Sequence, residues 1–466
     1  MKDKKNENLS SLGKFIEEYK LSDGVRLHMP GHKGAFGFEE DLTEIKGADS
    51  LYEAEGVILD AEKEAASVFG SRSTFLGTEG SSQIIKAMCF LALKHCREKG
   101  RNAEHPVILA SRNAHKAFIY ASMLLGFDIR WMSREDSAYS LCKCELTPVE
   151  LEKYIDEFNI TQKQDRKSDL AAVFVTSPDY LGNMLDIKAL SEVAHRKGLL
   201  FLCDNAHGAY LKLLKEDLHP LSLGADMTAD SAHKTLPVLT GGAFLHVSEN
   251  APAGLEKDAK KALLMFGSTS PSYLIMNSVA ESMKRIRKSD YDETVQKLAK
   301  LKGQLRALGY VLYGDEPLKL VIDLRDSALT GPGFAEELRN YNIECEYEDP
   351  DFLVTMWSPY NRYPRDTERF ISALSELAAD YLKKAKKKPA EFNFTLPQVH
   401  FSPRDIMFLP HKTVSVEDPS LIGKIAADAV LSCPPAVSPI IAGEEFTENI
   451  VSVLRHYGVT SVEILA

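Results

Sequence analysis

Four short apolar runs mark the first half of the chain: Pro106–Ala110, Ala171–Val175, Leu199–Cys203 and Ala225–Ala229. Each is followed by a polar turn and then by a stretch with helical spacing. Near-continuous apolar strands alternating with helices predict a parallel sheet covered by helices. A first helix is expected over Leu9–Tyr19 and a longer one from Gly80 to Lys99, with Gly100 after it. Thr147-Pro148-Val149-Glu150 is a capping box with proline at the first helical position, and it announces a third. Ile187–Lys197 reads as a fourth, stopped by Gly198. The pattern changes near residue 286. A charged helical stretch (Tyr291–Leu308) leads to strand-like runs at Leu318–Leu324, Ile343–Tyr347 and Phe352–Met356, then to a helix over Thr367–Leu382. The predicted organisation is an N-terminal segment (1–45), a large α/β domain (46–285), a smaller α+β domain (286–388) and a C-terminal domain (389–466). The basic run Lys383–Lys388, ending at Pro389, reads as a helix end and linker. No internal repeat or low-complexity segment is present.

Composition narrows this picture only slightly. The 466 residues are 44% hydrophobic and 26% charged, ordinary values for a globular protein. A net charge of −11 gives no support to nucleic acid as a partner and is compatible with a cationic substrate. The seven cysteines are scattered, and Cys142 and Cys144 stand too isolated to suggest a metal site, so reduced thiols and no metal are expected. The polar start Met1-Lys2-Asp3-Lys4-Lys5-Asn6 and the lack of an apolar run of about 18 residues predict a cytoplasmic protein without membrane segments.

The candidate chemistry lies at strand ends. Asp204 closes one apolar run, and Ser231-Ala232-His233-Lys234 follows another, with Lys234 placed 30 positions after Asp204. A lysine and a carboxylate at the carboxyl ends of two strands of one sheet suit pyridoxal 5'-phosphate (PLP). The amine forms a Schiff base with the aldehyde, and the carboxylate keeps the pyridine nitrogen protonated so that the ring accepts electrons. Gly80, Ser81 and Ser82 open a helix, where backbone N–H groups and hydroxyls can hold a phosphate. Ser231 is a further phosphate donor. His233 is a candidate for moving protons near the lysine, His207 could reach the same site, and His115, after another strand, could stack on the ring. Structural roles compete at each histidine. Gly267–Tyr273 is a hydroxyl-rich turn, either a second phosphate clamp or a capped helix start. The acidic run Glu344–Asp351 is either an exposed loop or a contact for the distal cation of a diamino acid.

Taken together, these motifs resemble the bacterial-type Orn/Lys/Arg decarboxylases on the aspartate-aminotransferase fold (PLP fold type I). The resemblance rests on His28–Lys33, Ser111–Lys116, Asp204–Ala209, Ser231–Pro237 and Ser268–Tyr273, which occur in the family's order and spacing. It spans nearly the whole chain and looks like the short form, without an N-terminal receiver-like domain. It implies that Lys234 carries PLP, that Asp204 faces the pyridine nitrogen and that His115 stacks on the ring. Gly80, Ser81, Ser82, His207, Ser231, His233 and Lys234 would surround the cofactor. Thr269 and Ser270 would reach the phosphate of a neighbouring subunit, so a homodimer or larger assembly is implied. The chain departs from the family pattern at Asn205, where an acid is usual, at Glu79-Gly80-Ser81-Ser82, at Thr240-Gly241-Gly242 and at Pro434-Pro435-Ala436. Gly443-Glu444 looks like a remnant of the family's last motif.

The expected reaction is α-decarboxylation of arginine, lysine or ornithine, in polyamine synthesis or in acid resistance. Lys234 and Asp204 equally suit an aminotransferase or lyase. Arg362 and Arg365 are available to hold an α-carboxylate in the former. A non-catalytic protein that keeps the fold is the remaining alternative.

Overall fold

Among the described residues thirteen strands are formed: β1 Ser73–Gly77, β2 His105–Ser111, β3 Asp128–Met132, β4 Ser168–Thr176, β5 Leu200–Asp204, β6 Met227–Asp230, β7 Ala243–Val247, β8 Leu312–Tyr313, β9 Lys319–Asp323, β10 Tyr347–Glu348, β11 Phe352–Met356, β12 His411–Ser415 and β13 Ser461–Leu465. The structure is a computed structural model describing residues 9–22, 24–101, 105–133, 140–143, 145–162, 168–383, 394–430 and 434–466. The described chain packs as two units. One holds the chain up to Ile108 with Leu151–Ser177 and Asp186–Lys288. The other holds Leu109–Glu150, Pro178–Leu185 and Ser289–Ala466. The fold is α/β with a mainly parallel central sheet flanked by helices, as the alternating pattern predicts.

In the first unit the strand order is β1-β7-β6-β5-β4. β4, β5 and β6 are parallel, with Thr176 opposite Asp204 and Asp204 opposite Ala229. β7 runs antiparallel to both β6 and β1, pairing Ala243 with Gly77 and Phe244 with Asp230. All five residues of β5, all four of β6 and all five of β7 are buried, which explains their unbroken apolar character. The helix Gly80–Glu98 packs on this sheet through Ile84, Ile85, Met88, Leu91 and Ala92, spaced as one helical face.

In the second unit a four-stranded antiparallel sheet has the order β10-β11-β9-β8. The antiparallel pair β12–β13 joins the helix Glu448–His456 around Phe394, Val416, Phe446, Ile450 and Leu454. The capping box closes as predicted: the Thr147 N–H and hydroxyl donate to Glu150 Oε2, and Glu150 N–H donates to Thr147 Oγ1.

Several boundaries differ from the sequence expectation. The first helix runs Ser11–Leu21 because Ser10 caps it, its hydroxyl accepting from Gly13 N–H. Ile343–Tyr347 is not a strand. The unpredicted helix Gly331–Arg339, capped by Thr330, ends just before it, and Ile343 N–H still donates back to Leu338 O. Only Tyr347–Glu348 remains to pair with β11. The basic linker expected near Lys383–Pro389 falls almost wholly in 384–393, outside the described residues, as do Cys144 and Cys433. The described cysteines, among them Cys89, Cys142 and Cys203 in the core, are unpaired thiols. Among the described residues no helix is long and apolar enough to cross a membrane.

Candidate active site

The two central parallel strands end in the two predicted groups. Asp204 is the last residue of β5 and is buried; its Oδ1 accepts from Ala206 N–H at 3.1 Å. Burial pushes its carboxyl up to about 6, against the lowering effect of the Lys234 charge. Beyond Asp204 the chain turns tightly, Gly208 N–H donating to Asn205 O, and this turn carries His207. After β6, buried Ser231 opens a single helical turn, Ala232–Thr235, in which Lys234 N–H donates to Ser231 O. Lys234 Nζ lies 2.9 Å from His207 Nε2. The structure thus brings together Asp204, His207, Ser231 and Lys234 from two neighbouring strand ends.

A second set of groups adjoins them. β1 passes through Thr78-Glu79 into the helix Gly80–Glu98. Gly80 has φ 68° and donates its N–H to Gly241 O at 2.8 Å. His233 donates its backbone N–H to Gly242 O, and its Nδ1 lies 3.1 Å from the same oxygen. A Cβ on Gly80 would come 3.9 Å from His233 Cε1. The N-cap residue Glu79 makes no side-chain cap, and the first turn holds no acid. The N–H groups that follow Gly80, with the Ser81 and Ser82 hydroxyls, are therefore a donor set suited to a phosphate. Thr78, which the sequence reading passed over, has a buried hydroxyl with no partner in the protein. The chemistry of these donors, with a lysine amine and a buried carboxylate beside them, fits PLP.

Two departures from the family pattern meet here. Gly241 has φ 100°, and a Cβ on it would sit 2.6 Å from Thr78 O. Gly241 is thus required by the loop facing it. Gly241→Ala is expected to strain this contact by about 1–3 kcal/mol and to weaken PLP binding by about tenfold or more. Titration of the cofactor absorbance checks this.

Thr269 and Ser270 are both exposed, in a turn before the helix Tyr273–Arg285. Ser272 caps that helix, so this part of the hydroxyl-rich run is a helix start. His115 lies in the second unit as the N-cap of the helix Lys116–Leu125, its Nδ1 accepting from Ala117 N–H at 3.0 Å. It pairs with Val437, and Lys116 N–H donates to Ala436 O. The segment after Pro434-Pro435 is therefore the support of the histidine turn. Ala436 has φ 55°, where an L-residue costs about 1–2 kcal/mol. Ala436→Gly relieves that strain but loosens the unfolded chain by about 0.4–1 kcal/mol. A net gain of about 1 kcal/mol or less is expected in denaturant unfolding.

Glu444 also proves to be structural. Its carboxylate, almost fully buried, takes both arms of Arg112 at 2.7 and 2.8 Å, and accepts from Trp131 Nε1 at 3.0 Å and from Ile441 N–H. Arg112 lies over the Trp131 ring and donates to Pro439 O. In the acidic run, Glu344 pairs with Arg339, Glu346 accepts from Tyr180, and Asp349 is buried and accepts from Tyr347 and two backbone N–H groups. Glu344, Glu346, Arg362 and Arg369 line a cavity of about 330 Å³ in the second unit.

One further cluster was not legible in the sequence. Asn205, His219, Asp230 and His246 are all fully buried in the first unit. Asp230 accepts from Asn205 Nδ2 at 3.0 Å and lies 2.7 Å from His219 Nε2; His246 Nε2 is 3.6 Å away. His219, Asp230 and His246 have the composition of a metal site. The hydrogen bonding favours another use. Leu221 N–H donates to His219 Nδ1, which places the ring proton on Nε2, the atom facing Asp230. Burial pushes His246 down to about 3, so it is neutral. Asp230 is held below its ordinary range: burial opposes this, but His219, His246 and the Asn205 hydrogen bond together outweigh it.

With this geometry established, comparison with known proteins identifies the class. Residues 17–315 match the family model of the Orn/Lys/Arg decarboxylase major domain. The chain is 25% identical to an arginine decarboxylase of Bacillus anthracis, over 94% of this chain and 91% of that one. It is 27% identical to an arginine decarboxylase of Halalkalibacterium halodurans, over 92% and 90%. Among solved structures, the Francisella novicida lysine decarboxylase superposes with a TM-score of 0.81 at 16% identity, covering 99% of this chain and 82% of that chain. The constitutive lysine decarboxylase of E. coli gives 0.78 at 16%, over 100% and 83%. The chain belongs to the Orn/Lys/Arg decarboxylase family. It is a PLP-dependent enzyme, and its reaction is decarboxylation of a basic amino acid.

Proposed function

We propose that the substrate is arginine and that the reaction is run by Lys234, Asp204, His207 and His233. The observation that carries the assignment of roles is the 2.9 Å approach of Lys234 Nζ to His207 Nε2 beside the buried carboxyl of Asp204. The choice of arginine is supported by the relatives named arginine decarboxylase, which align over 92–94% of this chain. When bound, PLP supplies an electron sink for the pair left behind by the departing carboxylate.

Lys234 is the amine that would hold the cofactor aldehyde, and His207 orients it. Asp204 would face the pyridine nitrogen and hold a proton there. Its raised proton affinity suits a group that shares a proton in a dry site. The helix start at Gly80, Ser81 and Ser82, with Ser231, would bind the phosphate. His115 would cover the ring. His233 or Lys234 is placed to be the acid that would return a proton to Cα. Thr269 and Ser270, exposed on this chain, would reach the phosphate of a second copy in a homodimer. Residues 46–285 form the cofactor domain in this reading, with 286–388 and 389–466 as appended domains and 1–45 as the N-terminal segment. The protein acts in the cytoplasm.

The test is carbon dioxide release from arginine, lysine and ornithine, each offered separately to PLP-loaded protein. A kcat/KM for arginine at least about tenfold above the others is expected, a discrimination of about 1.4 kcal/mol. Preference for lysine or ornithine overturns the substrate, and 2-oxo acid formation overturns the reaction. Sedimentation of the loaded protein checks the dimer.

A further inference from the structure

We propose that Asp230 is a positioning residue for the reaction, tying the turn that carries Asp204 and His207 to the turn that carries Ser231, His233 and Lys234. The inference rests on the assignment of Lys234 as the cofactor-bearing lysine.

The geometry comes from both sides of one carboxylate. On the chain, Asp230 directly precedes Ser231, whose carbonyl accepts the Lys234 N–H; any shift of Asp230 moves the lysine turn. Across the strands, its Oδ1 accepts from Asn205 Nδ2 at 3.0 Å. Asn205 lies between Asp204 and His207, and its own N–H donates to Ala229 O on β6. Side chain and backbone of Asn205 therefore both grip the end of β6. The other carboxylate oxygen is fixed by His219, whose Nδ1 is held by Leu221 N–H. His246 closes the cluster from β7, its Nδ1 lying 2.7 Å from the Thr74 hydroxyl on β1. Asp230 is thus linked to the end of β5 through Asn205 and to β7 through His246, which in turn ties to β1.

The position of the acid is also specific. Asn205 stands where an acidic residue is usual in the family. Here the acid sits across the strand at 230, and residue 205 is the amide that donates to it. Two carboxylates facing each other at 205 and 230, in a site closed to water, would hold one of them protonated, so the pair would carry one charge and not two. The Asp230 charge also raises the proton affinity of Asp204, the direction a group holding a shared proton needs.

The test uses PLP-loaded protein and three readouts: PLP affinity, the visible circular dichroism of the bound cofactor, and kcat with KM separately. Asn205→Ala cuts the tie while leaving Asp230 bonded to His219, so the fold is kept. Expected are a kcat lowered about tenfold or more, the scale of a small misplacement, KM within about twofold, and weakened cofactor dichroism. Asp230→Asn gives the same signature. The swap Asn205→Asp with Asp230→Asn restores one carboxylate and one amide, and recovers most of kcat and dichroism. A lowered melting temperature with kcat and dichroism unchanged in Asn205→Ala overturns the proposal, whether or not Asp230→Asn folds. A swap no better than the single variants overturns it too. Lys234→Ala separates the underlying assignment: if that variant keeps the cofactor band, the lysine reading fails, whatever the Asp230 variants do.

Discussion

Lys234→Ala, supplied with PLP and arginine, is expected to release carbon dioxide at a rate lowered by at least about 10²–10⁴-fold, the contribution of one positioned proton-transfer group. It also loses the amine that would hold the cofactor, so the real loss is expected to be greater. The substitution should leave folding intact. Lys234 is half-buried on a single helical turn, and the strands beside it are held by β5, β6 and β7. The measurement is radiometric carbon dioxide release alongside the visible spectrum of the loaded protein. Loss of both signals with an unchanged melting curve is the expected result. Release at a wild-type rate would remove Lys234 from the mechanism. Asp204→Asn offers a graded companion: it should keep the cofactor yet slow turnover, because an amide cannot hold the pyridine proton.

Glu444→Ala is expected to destabilise the second unit by about 3–5 kcal/mol, the cost of leaving a buried charge without its partner. Arg112 would remain with side-chain exposure of 4% and no carboxylate, and Trp131 Nε1 would lose its acceptor. Denaturant unfolding measures the loss. The double variant Arg112→Met with Glu444→Leu should recover most of it, since apolar replacement of a buried pair is often neutral. An unchanged midpoint in Glu444→Ala would mean that water reaches the guanidinium. His115 stands three residues beyond Arg112, in the segment braced by Ala436 and Val437. The pair therefore holds the candidate ring-stacking histidine to its support.

How much of this was legible depended on whether the information was local. β11 appeared at its predicted bounds, and β4, β5, β6 and β9 lie within two or three residues, because five apolar residues bounded by polar turns form a local signal. The capping box at Thr147 was legible for the same reason. Asp204, His207, Ser231 and Lys234 could be picked out because each follows such a run. β1 and β7 were not seen: Ser73–Gly77 is short and mixed, and becomes a strand only by pairing with Ala243–Val247 far along the chain. Glu444 and Arg112 lie 332 positions apart. The Asp230 cluster draws on five separate segments, and no spacing rule reaches that far. The reason for Gly241 is likewise non-local: Thr78 O lies 2.6 Å from where a Cβ would sit.

The antiparallel closure of β1 on β7 has a consequence for how the protein is made. Ser73 meets Val247, so the candidate phosphate-binding helix start and the lysine turn join only after a loop of more than 170 residues has closed. Pairings of such sequence separation form slowly, because chain entropy is lost before contacts compensate for it. A ribosome-bound chain that has not yet delivered residues 243–247 carries Gly80, Asp204 and Lys234 but no assembled site. Uptake of PLP during synthesis should therefore begin only once β7 has emerged, so that cofactor loading acts as an internal clock for the completion of this sheet.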